Sequence, residues 1–189
     1  MLFKYAMCIV HDGTMERGGT GMPEQNNKLK LVRAVMLCVT LAIMAAIFLF
    51  SAQPGESSSA LSQQITEKVE STAAHRLTPK WFSSQNDNAN IRKWAHVYIY
   101  CALGVSTAVH LFGSAGKAGG AKQLVQEALI SAVTCTVYAG TDEFHQLFIP
   151  GRAGMIQDVG VDALGFLPCI AITFLVTAWL RHKAAKTQQ

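Results

Sequence analysis

The chain has 189 residues, half of them hydrophobic and only 15% charged, with 16 Lys and Arg against 12 Asp and Glu for a formal net charge of +4. That is too apolar for an ordinary soluble domain of this length, and the apolar residues come in blocks. The basic residues flank those blocks, so the charge gives no nucleic-acid surface.

Four blocks reach or approach bilayer-spanning length, at about residues 31–50, 94–112, 124–141 and 159–180. Roughly 20 helical residues cross the hydrocarbon core. The expected fold class is therefore all-α, an integral membrane bundle of four transmembrane helices in one domain over 22–189. The soluble alternative, a bundle of very apolar helices, is disfavoured because buried-core helices seldom run so long without polar interruption. The 124–141 block is the shortest, with Glu127 near its start. It crosses only with help from its flanks or from bilayer thinning.

Residues 1–21 do not read as a targeting segment: the apolar piece 6–10 is too short and His11-Asp12-Gly13 breaks it. They are expected to be a disordered or mis-assigned extension. Arg17-Gly18 is what a translated ribosome-binding sequence would encode, which would make Met22 the start. The first span follows and ends before Pro54-Gly55. A polar, serine-rich outer loop of about 40 residues runs from 51 to 91. Within it Leu61, Ile65 and Val69 repeat every four residues, with Ser57–Ser59 as N-caps. That predicts a short amphipathic helix lying on the membrane surface or capping the bundle. Pro79-Lys80-Trp81-Phe82 supplies interfacial aromatic anchors, and Gln85 to Asn90 reads as turn or loop.

The second span carries Lys93, His96 and Tyr100 on one face. The glycine-rich loop 113–120 lacks a Walker pattern. The fourth span opens with Asp158 and Asp162 and holds Gly160 and Gly165, small residues that allow close helix approach. Lys28, Lys30 and Arg33, then Lys117 and Lys122, then Arg181, Lys183 and Lys186 flank the spans on one side. By the positive-inside rule that side is cytoplasmic, with both termini inside, although Arg92 and Lys93 lie opposite. Cys38, Cys101, Cys135 and Cys169 fall one per block and read as small buried hydrophobes, not disulfide or metal partners.

The polar residues of all four spans converge on the outer face. Ser51 and Gln53 end the first, Arg92, Lys93 and His96 open the second, Asp142, Glu143, His145 and Gln146 end the third, and Arg152, Asp158 and Asp162 open the fourth. The bland reading is a solvated rim of caps and salt bridges, which suits Arg92 and Glu143 best. It suits His96 and Asp162 less well, because they lie about a turn inside their spans, where a polar group needs a partner. The sharper reading is an outward pocket. Its ligand-binding candidates are Gln53, Lys93, His96, Tyr100, Gln146, Arg152, Asp158 and Asp162. Its cations would hold a phosphate or carboxylate. No HExxH or GxSxG occurs, so neither a metal site nor a serine hydrolase is expected, and no cofactor is specified.

At these residues the chain resembles the VanZ-like family of small bacterial membrane proteins. The matching pieces are Phe50-Ser51-Ala52-Gln53, Arg92-Lys93-Trp94-Ala95-His96 with Tyr100, the run Asp142 to Arg152 (DEFHQLFIPGR), Asp158-Val159 and Asp162-Ala163-Leu164-Gly165. The resemblance covers about residues 31–180. It departs at Asp162, where the family often shows Asn. The resemblance implies a multi-pass protein of the bacterial cytoplasmic membrane, in a family whose founding member is associated with low-level teicoplanin resistance.

Two functions follow as expectations. One is a cell-envelope binding protein whose outer pocket takes an anionic lipid, wall-precursor or glycopeptide group. The other is a membrane-embedded enzyme acting on an envelope lipid or wall precursor, with Asp142, Glu143 and His145 as catalytic candidates. A transporter is disfavoured by the absence of an internal repeat or broken helix.

Overall fold

The computed structural model describes residues 23–70, 77–83, 85–112 and 120–186, with side chains from residue 30. The expected extension 1–21, and most of the 113–120 loop, lie outside the described residues. Five helices follow one another: α1 Pro23–Ser51, α2 Gly55–Glu70, α3 Asp87–Phe112, α4 Ala121–Gln146 and α5 Ile156–Lys186. Among the described residues there is no strand.

Three of these helices, α1, α3 and α5, are long and apolar enough to cross a membrane. Helix α4 contains the third expected span and does not reach that composition. Its surface is nonetheless apolar, with Leu129, Val133 and Val137 at 60–61% exposure. Leu31, Leu49, Ile172, Leu175 and Trp179 are likewise exposed. A continuous apolar exterior of this kind fits a lipid environment and not water.

Helix α3 is the axis of the bundle. Its membrane-length window is 44% buried inside the protein, against 17% for α1 and 22% for α5. The core gathers Ile47, Tyr100, Leu103, Phe112, Leu124, Cys135, Phe166 and Ile170. Close approach of α3 and α5 explains two glycines. A Cβ on Gly104 would stand 2.8 Å from the Phe166 carbonyl oxygen, and one on Gly165 would strike the Val97 carbonyl. Gly160, expected to serve the same purpose, faces open space.

Several local expectations need correction. Helix α2 starts at Gly55, so Ser57–Ser59 lie in its first turn and do not cap it. The Gly55 amide instead donates to the Pro150 carbonyl at 3.0 Å, which docks α2 on the turn before α5. Helix α2 packs through Ser58, Ser62 and Thr66, while Leu61 and Ile65 stay 41% exposed. The apolar stripe therefore points away from the bundle, and Thr66 Oγ1 donates to Asn88 Oδ1 at 2.9 Å. Residues 87–90, expected as loop, form the first turn of α3. Asn86 caps it, its Oδ1 accepting from the Ala89 amide at 3.0 Å. Finally, Cys101 on α3 and Cys169 on α5 form a disulfide with Cα atoms 5.7 Å apart, where two separate buried thiols were expected. They are 68 residues apart, so only the α3–α5 pairing brings them together.

Candidate functional site

The ends of α1 and α4 and the starts of α3 and α5 meet at one end of the bundle. Between them lies a cavity of about 230 Å³, lined by Arg92, Lys93 and His96 from α3, Glu143 and Gln146 from α4, Gly151, Arg152, Ala153 and Met155 from the connecting loop, and Asp158, Val161 and Asp162 from α5.

The loop is built by its own backbone. The Phe148 and Ile149 amides donate to the His145 and Gln146 carbonyls at 3.1 Å, and the Arg152 amide closes the turn on the Ile149 carbonyl at 3.1 Å. Gly151 has φ 74°, a left-handed conformation that suits glycine at that corner. Gly154 lets the chain pass directly over the Glu143 carbonyl. Glu143 then holds the loop: its Oε2 accepts from the Met155 amide at 3.0 Å.

Arg152 reaches back across the end of α1. Its Nε donates to the Gln53 carbonyl and its Nη2 to the Phe50 carbonyl, both at 3.2 Å. Those carbonyls lie at and just beyond the C-terminal end of α1, where a cation is favoured, and the Phe50 carbonyl also accepts from the Gln53 amide at 3.3 Å. Burial first, and the charge of nearby Arg92 second, push the Arg152 guanidinium below its ordinary value.

Charges in the cavity are largely matched. Lys93 Nζ and Asp158 Oδ1 lie 3.0 Å apart. His96 Nδ1 and Asp162 Oδ1 lie 3.1 Å apart, and Asp162 is completely buried. Glu143 Oε1 accepts from Gln146 Nε2 at 3.0 Å. Asp142, one residue earlier, faces α1 and accepts from Ser51 Oγ at 2.9 Å and from Gln146 Nε2 at 3.3 Å. Arg92 makes no ion pair among the described residues, and Arg152 meets only backbone carbonyls. Two guanidiniums therefore share the cavity without a carboxylate partner.

The structure thus brings Lys93, His96, Gln146, Arg152, Asp158 and Asp162 to one cavity. Gln53 contributes its backbone carbonyl and not its side chain. Tyr100 is fully buried behind the cavity against Phe166 and does not line it. Asp142, Glu143 and His145 do not converge: Glu143 lines the cavity, Asp142 is buried with Ser51, and His145 stacks on Phe48 with ring centroids 4.3 Å apart. Sequence reasoning left Arg92 open between a solvated rim residue and a cation of the pocket, and the structure puts it in the cavity lining. Among the described residues no group of three or more His, Cys, Asp or Glu is arranged to hold a metal ion.

The profile described as VanZ/LLP1 matches residues 36–177, which include every residue that lines the cavity. Comparisons with curated proteins and with solved structures give no match. Most of the chain carries the family's pattern, and the chain belongs to the VanZ/LLP1 family.

Proposed function

We propose that this protein binds an anionic group of the cell envelope in the cavity between α3, α4 and α5, and so takes part in glycopeptide response. The observation that carries the reading is the pair of guanidiniums, Arg92 and Arg152, lining one cavity while neither forms an ion pair among the described residues. Like charges held together are favourable once an anion sits between them; the Arg92 fork matches phosphate or carboxylate oxygens, while Arg152, with Nε and Nη2 on backbone carbonyls, offers Nη1 and its charge. Lys93 adds a third cation, tempered by Asp158. The ligand is a phosphate or carboxylate carried by an envelope lipid, a wall precursor or a glycopeptide.

The setting is the bacterial cytoplasmic membrane, with four spans, both termini inside and the cavity facing outward. Basic residues near the α1 start and the α5 end support that orientation, and so does the family context. Helix α4 is the third of these spans in chain order. Its polar Gln123 and Glu127 share a hydrogen bond near one end, which lessens their cost in lipid.

The test is teicoplanin susceptibility of a glycopeptide-sensitive Gram-positive host expressing wild type, Asp142→Asn or Arg152→Ala at matched membrane levels. Wild type is expected to raise the inhibitory concentration and Arg152→Ala to abolish the rise. No change with any chain would remove the link to glycopeptide response.

A further inference from the structure

We propose that the cavity hydrolyses phosphate monoesters, with His96 as general base, Asp162 as its positioning residue, and Arg92 and Arg152 as the phosphate clamp. This rests on the anion-binding reading above and deepens it to a substrate class and a reaction.

The imidazole is set up for that work. Its Nδ1 faces Asp162 Oδ1 at 3.1 Å, and Asp162 has no exposed surface. A carboxylate in that position holds the proton on Nδ1, orients the ring and leaves the lone pair on Nε2. His96 lines the cavity, and among the described residues nothing bonds its Nε2. The Nε2 of His145, by contrast, is sealed from solvent and lacks a partner, so it has no route to a ligand.

The clamp favours phosphate over carboxylate. One guanidinium satisfies both oxygens of a carboxylate, whereas a phosphate monoester presents three terminal oxygens and close to two charges, which matches two guanidiniums. The acids that line the cavity are already engaged: Asp158 by Lys93, Asp162 by His96, and Glu143 by the Met155 amide and Gln146. A cavity of about 230 Å³ takes a phosphate group with room for a water, whose share of liquid volume is about 30 Å³.

The step balances with water as the sole co-reactant. The water oxygen bonds to phosphorus while His96 Nε2 takes its proton. The ester P–O bond breaks and its electron pair leaves on the alcohol oxygen, which receives the proton from Nε2. The products are the alcohol and inorganic phosphate. The guanidiniums offset the charge on the phosphoryl oxygens throughout.

The full chain, purified in detergent, would be given dioleoyl phosphatidic acid in mixed micelles or soluble glycerol 3-phosphate, with phosphate release followed over pH. Binding of inorganic phosphate would be measured separately by calorimetry on the same wild type, His96→Gln, Asp162→Asn and Arg152→Ala proteins. Expected are release by wild type with a rate that falls as pH drops through the histidine range, and a loss of about 100-fold or more in His96→Gln with phosphate still bound. Asp162→Asn should lower kcat with KM unchanged and shift the pH profile. Arg152→Ala should lose binding and release together. Release from the micelles alone assigns a lipid phosphate, and release from both assigns the phosphate group irrespective of its carrier. Phosphate binding without release in wild type overturns the hydrolytic proposal and leaves the binding reading standing. Neither binding nor release overturns both. Full release in His96→Gln overturns the role of His96, and full release with an unshifted pH profile in Asp162→Asn overturns that of Asp162 should the His96 variant not fold.

Discussion

Ser51 and Asp142 lie 91 residues apart and meet in a buried hydrogen bond of 2.9 Å, the serine hydroxyl donating to carboxylate Oδ2. The bond ties the end of α1 to the end of α4, and Gln146 donates to the same oxygen. Arg152 makes the neighbouring tie, from the loop to the α1 carbonyls. The cavity wall therefore depends on an end of α1 that does not itself line it.

Ser51→Ala should cost about 1–3 kcal/mol, because a buried carboxylate loses its hydroxyl donor. Thermal unfolding in detergent measures it. In a double-mutant cycle with Asp142→Asn the effects should fall short of additive. Full additivity would mean the two side chains do not interact.

Tyr100→Phe should leave stability unchanged or slightly raised. The Tyr100 hydroxyl is buried without a hydrogen-bond partner among the described residues, so its removal loses no bond while the ring stays packed on Phe166. A melting temperature several degrees lower would show that the hydroxyl has a partner.

Gly165→Val should be strongly destabilising and Gly160→Val well tolerated in packing. A side chain at 165 meets the Val97 carbonyl and stands 3.1 Å from the Cys101 amide nitrogen, whereas nothing lies within 4 Å at 160. Overpacking costs about 1–3 kcal/mol or more. The ratio of folded to aggregated protein after detergent extraction separates the two, and equal yields would refute the close α3–α5 contact.

Arg152→Lys should behave nearly as badly as Arg152→Ala. A single ammonium cannot reproduce the Nε and Nη2 contacts to two separate carbonyls and still face the cavity. A loss of about 0.5–1.5 kcal/mol is expected from the missing hydrogen bonds, with weaker phosphate binding besides. Wild-type behaviour of the lysine variant would reduce Arg152 to a simple point charge.

On α2, Ser62→Leu should disturb docking on α3, while Leu61→Ser should leave the fold intact and weaken association with lipid. Ser62 is buried and Leu61 exposed, the reverse of a soluble amphipathic helix. Protease protection of the α2 segment in vesicles distinguishes the variants: Ser62→Leu should lose protection in detergent as well, Leu61→Ser only in vesicles. Identical patterns would contradict this orientation.

The sequence by itself determined that the chain is helical, that long apolar helices dominate it, and which family it belongs to. Bilayer-length apolar blocks admit few other structures, because backbone polar groups in lipid must be satisfied within the segment. It also determined that Lys93, His96, Gln146, Arg152, Asp158 and Asp162 belong to one end of the bundle, since each sits near a helix end. What only the tertiary structure decided is which of them face one another. Spacing along a helix fixes a face but not the neighbour across it. So Tyr100, on the face of Lys93 and His96, ends fully buried, and Asp142 and His145 turn toward α1 while Glu143 turns toward the loop. The Cys101–Cys169 disulfide, the inward serine face of α2 and the placing of Arg92 beside Arg152 have the same origin. The disulfide depends on how closely α3 and α5 approach through glycine, and the docking of α2 and the position of Arg152 depend on a loop that turns at Gly151 and passes Glu143 at Gly154. These are distances between helices, which no single helix encodes.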